Sequence, residues 1–382
     1  MGKTFLKKSF PHTPFKKLQT MENNFDMCRL EERNQKIIDA VIAKATRECP
    51  ESVVMLGICG SFATGDFYEK SDLDLLVLTK DDAAQAVAML FIQDDLGVGH
   101  DIYCTSWERL ENDAKFEHPY LAKLLNAKIV WCPDPADLER LENLRCSVRD
   151  RLAEPLSAED FDRAAALLSK AEQCYAKAMC AATLTDIRAQ AMELLYYLPD
   201  ALMLLNKRYY RRGTRRLYDE LLILTKRPAD ICELLEAVTA ADTTEALKSA
   251  LTSLLRETET VFTAVKAELY IKKEVPSADN ITGTYEEMFS NWRNKMVLAA
   301  KTGNRMLSFT TLGCLQAMLD EISAGVDIAH YDAVSGYDPD DLWKNAEYYD
   351  RTIEAYLAEY RKAGIPVKHY ADIDAFVEDY LK

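Results

Sequence analysis

The sequence predicts an α+β protein: an N-terminal mixed β-sheet domain with flanking helices over residues 1–154, then a large all-helical domain over 155–382. Two observations carry this. Helical and strand periods alternate up to about residue 150, which argues for a sheet covered by helices. Beyond Ser157 only helical periods recur, and Pro155 stands at the change.

The elements follow in order. The first twenty residues, with Pro11, Pro14 and several lysines, read as a loose arm. A helix spans about Glu22 to Arg47, with Ile37, Ile38, Val41 and Ile42 on one face. "SVVMLGICG" is a strand running into a glycine turn, and a short helix follows from Ser61. "DLDLLVLT", Asp72 to Thr79, is the second strand. "DDAAQAVAMLFIQDD" opens with acids and continues with alanines, as a helix does. "GHDIYCT", Gly99 to Thr105, is the third strand, "SWERLENDA" a serine-capped helix, "AKIVWC" the fourth strand, and "PDPADLERLENLRCSVRDRL" a closing helix. The helical region then contains "SAEDFDRAAALLSKAEQCYAKAMCAAT", an apolar helix ending at Gly213, and amphipathic stretches from Thr243, Thr284 and Asp341. No repeat of 20–50 residues marks a solenoid.

Composition narrows the classes. The chain has 382 residues, 48% of them hydrophobic, and a net charge of -15. That acidity argues against general binding of nucleic acid or anionic membrane. Ten cysteines occur as singletons, with no CxxC pair and no zinc spacing, which fits a reducing cytoplasm. The basic start lacks the apolar core of a leader and the serine or threonine of a myristoylation motif. No apolar run is long enough to span a bilayer.

The chemistry concentrates in "GICGSFATGDFYEKSDLDLLVLTK". Asp72 and Asp74 are two apart in a strand, so their side chains share a face. Burying two unpaired carboxylates is costly. A divalent cation resolves both the burial and the repulsion, and Mg2+ takes one or two carboxylates together with phosphate oxygens. Asp101, in the next strand, joins the pair if that strand is a neighbour, and the three acids then suit a two-metal displacement at phosphorus. Gly60 permits close approach of the backbone to a phosphate, and Ser61 adds a hydroxyl at a helix start. Gly65 lets the chain turn back toward the aspartates.

"GSFATGDFYEKSDLDLLV" resembles the signature of the polymerase-β-like nucleotidyltransferase superfamily, and "HDIYC" matches its downstream acid at Asp101. Within it the chain looks closest to the kanamycin- and lincosamide-type antibiotic nucleotidyltransferases, over the first 150 residues and, in outline, in the helical domain that follows. The resemblance implies ATP or another nucleoside triphosphate as co-substrate and two Mg2+ ions, replaceable by Mn2+. A substrate hydroxyl attacks the α-phosphate and pyrophosphate leaves. Gly60 and Ser61 would hold the β- and γ-phosphates, while Asp72, Asp74 and Asp101 would hold the metals. Thr64 stands where the kanamycin enzyme has a phosphate-contacting arginine.

The resemblance also implies a general-base glutamate on a helix beside the acceptor. Glu172 fits by chain order. Glu287 fits by the segment "EEMFSNWRNKM", in which Asn291 replaces the family's nucleotide-binding lysine. Each also reads as an ordinary solvated helix glutamate. "LNKRYYRRGTRRLYDELL" places six basic residues between Lys207 and Arg216, readable as a phosphate or partner contact or as a solvated helix end. No histidine completes the Arg-x4-His motif of HEPN-type RNases. The expected activity is therefore transfer of a nucleoside monophosphate onto a small hydroxyl-bearing acceptor, possible acceptors including aminoglycoside-like antibiotics. The alternatives are a protein-modifying AMP transferase or antitoxin-like partner protein, and a non-catalytic nucleotide-binding module.

Overall fold

The structure, a computed structural model, describes residues 27–269 and 273–382. The N-terminal arm and the reading of the chain's start lie outside the described residues. The chain forms two compact units, Met1–Lys266 and Ala267–Lys382. Its boundary at 154/155, read from sequence, separates secondary-structure types; the compact units separate elsewhere.

In the first unit the strands are β1 (Val53–Ile58), β2 (Leu75–Thr79), β3 (Met89–Gln93), β4 (Val98–Ile102), β5 (Cys104–Ser106) and β6 (Lys128–Trp131). Its helices are α1 (Met27–Glu48), α2 (Gly60–Thr64), α3 (Trp107–Asp113), α4 (Ala122–Asn126), α5 (Pro135–Ala153), α6 (Ala158–Cys180), α7 (Leu184–Leu205), α8 (Leu217–Leu222), α9 (Ile231–Ala240) and α10 (Thr244–Leu269). The main sheet has the order β5-β2-β1-β6. β1 is antiparallel to β2 and β6, and β2 is parallel to β5, so the sheet is mixed as expected. Leu56, Leu73, Leu75 and Val77 pack with Ile38, Val41 and Ala45 of α1.

Two expectations fail here. Residues 81–95 are not one helix: a 3-10 turn over Asp82–Val87 is followed by β3. Met89–Gln93 pairs residue for residue with Val98–Ile102, closed by a turn whose Gly97 has φ 62. That pairing overrides the local alanine preference for helix. The strand expected over Gly99–Thr105 divides at Tyr103, β4 pairing with β3 and β5 with β2.

The helix expected to reach Gly213 stops at Leu205. Lys207 has φ 50, its N–H bonds Leu204 O at 2.9 Å and Arg208 N–H bonds Met203 O at 2.9 Å. This is the Schellman pattern, here closed on lysine rather than glycine. Asn206 holds the stop by donating to Leu202 O and Lys226 O, both at 2.8 Å. Arg208, Arg211 and Arg212 therefore lie on a non-helical segment, and Arg215 and Arg216 on a 3-10 turn over Thr214–Arg216.

α6 and α7 pack against each other. Ser157 caps α6 in a capping box with Asp160. Asp160 is buried and receives Lys207 Nζ at 3.0 Å and Arg163 at 2.7 Å. Burial alone would raise its pKa; the hydrogen bonds from Arg163, Lys207 and Ser157 outweigh this and hold it well below the usual range. Removing one partner of a buried pair costs about 3–5 kcal/mol. Asp160→Ala should therefore lower the urea midpoint by a corresponding amount. The wild type should lose this contribution only as the pH falls below the ordinary aspartate pKa of about 3.9. An unchanged midpoint at neutral pH would refute it.

The second unit contains α11 (Ala278–Ile281), α12 (Thr284–Glu287), α13 (Asn294–Thr302), α14 (Arg305–Gly325), α15 (Leu342–Ala363) and α16 (Ile373–Tyr380). Its core is built on Tyr349, Tyr356 and Tyr360 with Met288, Leu315 and Leu319. The amphipathic run from Thr284 is interrupted by a π turn over Met288–Arg293. There the Tyr349 hydroxyl takes the Met288 carbonyl at 2.7 Å, an insertion that accounts for the irregular ladder.

Candidate active site

β1 is apolar and buried along nearly its whole length and runs on into the buried Cys59. Cys59 N–H donates to Asp74 O at 2.8 Å, which continues the β1–β2 ladder one step past both strands. This brings the Gly60 turn against the Asp74 side chain. Gly60 has φ 57, and a Cβ placed on it would overlap the Asp74 carboxylate. The chain then makes the single turn of α2, leaves through Gly65 at φ 77, and returns by a loop to Ser71.

That loop is tied down. Tyr68 N–H donates to Ser71 Oγ at 2.9 Å, and Ser71 N–H to Tyr68 O at 2.9 Å. Ser71 O accepts from Arg33 of α1 at 2.8 Å. Arg216 grips the Asp66 carboxylate at 2.9 and 3.0 Å, and Arg215 donates to Asp66 O at 2.9 Å. The guanidinium holds the Asp66 carboxyl below its usual range.

Asp72 and Asp74 precede β2 rather than lying within it, yet keep its alternation: Leu73 is buried while Asp72 is half-buried and Asp74 exposed. They line one cleft of about 490 Å3 together with Gly60, Ser61, Asp66, Lys123, Tyr120, Tyr210, Arg211, Arg212 and Arg215. The surrounding protein pushes the Asp74 carboxyl above its usual range; neighbouring Asp72 adds to this, Lys123 opposes it and Asp101 adds again. Asp101 does not line the cleft. It sits in β4 opposite Leu90, beyond the break at Tyr103 and outside the β2–β5 ladder, although its charge still acts on Asp74.

Among the described residues no three His, Cys, Asp or Glu side chains group as a metal-binding cluster. The Asp72–Asp74 pair nonetheless fits a divalent cation. It offers hard carboxylate oxygens on one side of a cleft, the donor set that Mg2+ completes with phosphate oxygens.

The other expected residues lie elsewhere. Thr64 returns its hydroxyl to Gly60 O and Ser61 O at 3.3 and 3.2 Å and lines an adjoining cavity, not this cleft. Glu172 is half-buried on α6 and does not line the cleft. Glu287 is exposed in the second unit, where Asn291 donates to it.

Several cleft residues went unread in the sequence. Lys123 sits on α4, whose end is anchored by buried Arg145 donating to Leu124 O at 2.8 Å and Ala127 O at 2.7 Å. Tyr120 donates to the buried Asp200 of α7 at 2.8 Å. Tyr210 joins them, its ring 5.6 Å from that of Tyr120. Burial, then the bonds from these two tyrosines, sets Asp200; burial prevails and raises its pKa. The cluster of tyrosines around residues 209–218 was the available signal, and only Tyr210 of the three reaches the cleft.

Comparison with known families agrees with this layout. Residues 39–130 match the family model described as a nucleotidyltransferase domain, and residues 175–268 the one described as a KNTase C-terminal domain. The first part of the chain thus carries a nucleotidyltransferase domain, within which the cleft of Asp72 and Asp74 lies. Behind this domain the chain carries the helical domain of the kanamycin nucleotidyltransferase type. Among solved structures, a nucleotidyltransferase-like protein from Exiguobacterium sibiricum 255-15 is similar over 62% of this chain and 77% of its own, at 11% identity and a TM-score of 0.34. No curated protein matches the sequence. Among the described residues no helix is long and apolar enough to cross a membrane.

Proposed function

We propose that the protein transfers a nucleoside monophosphate, AMP from ATP in the simplest case, onto a hydroxyl of a small molecule of the aminoglycoside or lincosamide kind. The observation that carries this reading is the meeting of Asp72, Asp74, Gly60 and Ser61 in one cleft that Lys123, Arg211, Arg212 and Arg215 also line. Nucleotidyltransferases of this superfamily work with a nucleoside triphosphate and divalent metal, and two Mg2+ ions, or Mn2+, are the expected cofactors.

Asp72 and Asp74 would hold the metal, with Asp101 alongside. When bound, the metal supplies positive charge to the triphosphate and to the entering oxygen. Gly60 and Ser61 seat the phosphates, and Lys123 balances charge near Asp74. The acceptor oxygen forms a bond to the α-phosphorus. The bond from that phosphorus to the bridging oxygen breaks, and its electron pair leaves with pyrophosphate. The hydroxyl proton passes to a carboxylate, for which Asp101, whose charge reaches Asp74, is the first candidate. Glu172 and Glu287 remain alternatives to it.

The test is incubation with α-labelled ATP, Mg2+ or Mn2+, and a panel of aminoglycosides, lincosamides and bacterial lysate. A labelled small molecule is the expected product. Label on protein alone would favour protein AMP transfer instead, and no labelled product with either metal would overturn the reading.

A further inference from the structure

The six basic side chains between Lys207 and Arg216 are engaged in different ways. Lys207 is buried against Asp160. Arg216 grips Asp66, and Arg215 bonds Asp66 O and lies over the Tyr68 ring at 5.2 Å. Arg211 and Arg212 differ. Both side chains are exposed, and neither guanidinium makes a hydrogen bond or ion pair with a described residue. Their backbone N–H groups, however, both donate to one oxygen of buried Glu220, at 2.9 and 2.6 Å.

The backbone is thus fixed while two like charges are held side by side at the cleft. They line the cleft of Asp72 and Asp74 and also the adjoining cavity of Thr64 and Asn126. Adjacent cations repel, and a polyanion relieves that repulsion. Guanidinium forks match phosphate oxygens in geometry as well as charge. The carboxylates and the arginines line a single cleft, an arrangement suited to a metal-bound triphosphate.

We propose that Arg211 and Arg212 form an anion clamp for the outer phosphates of the nucleotide and for the inorganic pyrophosphate it releases. The inference rests on the nucleotidyl-transfer reading, but its test does not. Binding of inorganic pyrophosphate is measured by calorimetry on the full chain in EDTA, so that metal plays no part. Hydrogen bonds to charged groups set the scale: Arg211→Gln or Arg212→Gln should weaken binding about tenfold each, and the double variant about a hundredfold. Arg208→Gln, from the same segment but outside both cavities, should change nothing. Because the Glu220 anchor is to the backbone, the melting temperature of the double variant should match wild type. In the transfer assay, inhibition by added pyrophosphate should weaken by the same factor.

Pyrophosphate binding by the folded double variant at wild-type affinity, or none by wild type at millimolar concentration, would overturn the clamp. Nucleotide transfer could then still occur. Conversely, absence of transfer with the arginine dependence intact would remove the nucleotidyl-transfer reading and leave the anion site standing.

Discussion

Asp74→Asn should abolish transfer and at the same time make the ligand-free protein harder to melt. On the proposed metal site, loss of one carboxylate removes several kcal/mol of transition-state stabilisation, so turnover should fall by about a thousandfold or more. Asp72→Asn should behave alike in turnover. The stability change has the opposite sign because the carboxyl of Asp74 is held above its usual range, first by the protein around it and then by Asp72. A carboxyl with a raised folded pKa lowers stability as the pH rises through that pKa. The amide carries no such penalty. The variant's melting temperature should exceed wild type at neutral pH, and the difference should close as the pH drops into the range where the wild-type carboxyl is protonated. Wild-type turnover by Asp74→Asn would refute the metal-site assignment. A lower melting temperature would refute the penalty that the surrounding protein and Asp72 together place on the Asp74 charge.

The second large effect is expected at Gly60, with Gly65 as its internal control. Both have positive φ, 57 and 77, so alanine at either bears a backbone cost of roughly 1–2 kcal/mol. The surroundings differ. A Cβ at Gly65 meets nothing within 4 Å, whereas one at Gly60 collides with the Asp74 carboxylate. Gly65→Ala should thus keep most of its activity with a modest loss of stability. Gly60→Ala must displace Asp74 and should lose about a hundredfold or more in kcat, since small misplacements of reacting groups cost that much. Equal activity in the two variants would mean that the contact between turn and acid is not needed.

The sequence made the centre of this protein readable and its rim much less so. The order β1, glycine turn, aspartate pair, β2 was legible because each step has a local chemical signature: an apolar run, Gly60–Ser61, and acids at period two leading into a second apolar run. The hairpin of β3 and β4 was not, because its alanines favour helix and only pairing across Gly97 decides otherwise. The stop at Leu205 was missed for a similar reason: Lys207 adopts a left-handed conformation that its residue type does not announce, supported by Asn206 and a carbonyl twenty residues away. Lys123, Tyr120 and Asp66 gave no sign of their role. Each is an ordinary residue whose importance comes from what distant segments bring beside it. The helical region's periodicity gave its helices but said nothing about which of its polar groups face a substrate.

The Asp66–Arg216 contact has a consequence for how the protein comes into being. The two residues are 150 positions apart. At a synthesis rate of about 5–20 residues per second, the ribosome needs roughly 8–30 s to reach the arginine after making the aspartate. The sheet can pair within that interval, but the loop between Gly65 and Ser71 has no anchor on the Arg216 side until the segment after α7 emerges. Acquisition of activity should then lag behind formation of the sheet, with the cleft maturing after the strands that carry it. Slow, long-range closure of this kind leaves the nascent nucleotide site open to proteolysis and chaperone contact while the rest of the sheet is already protected.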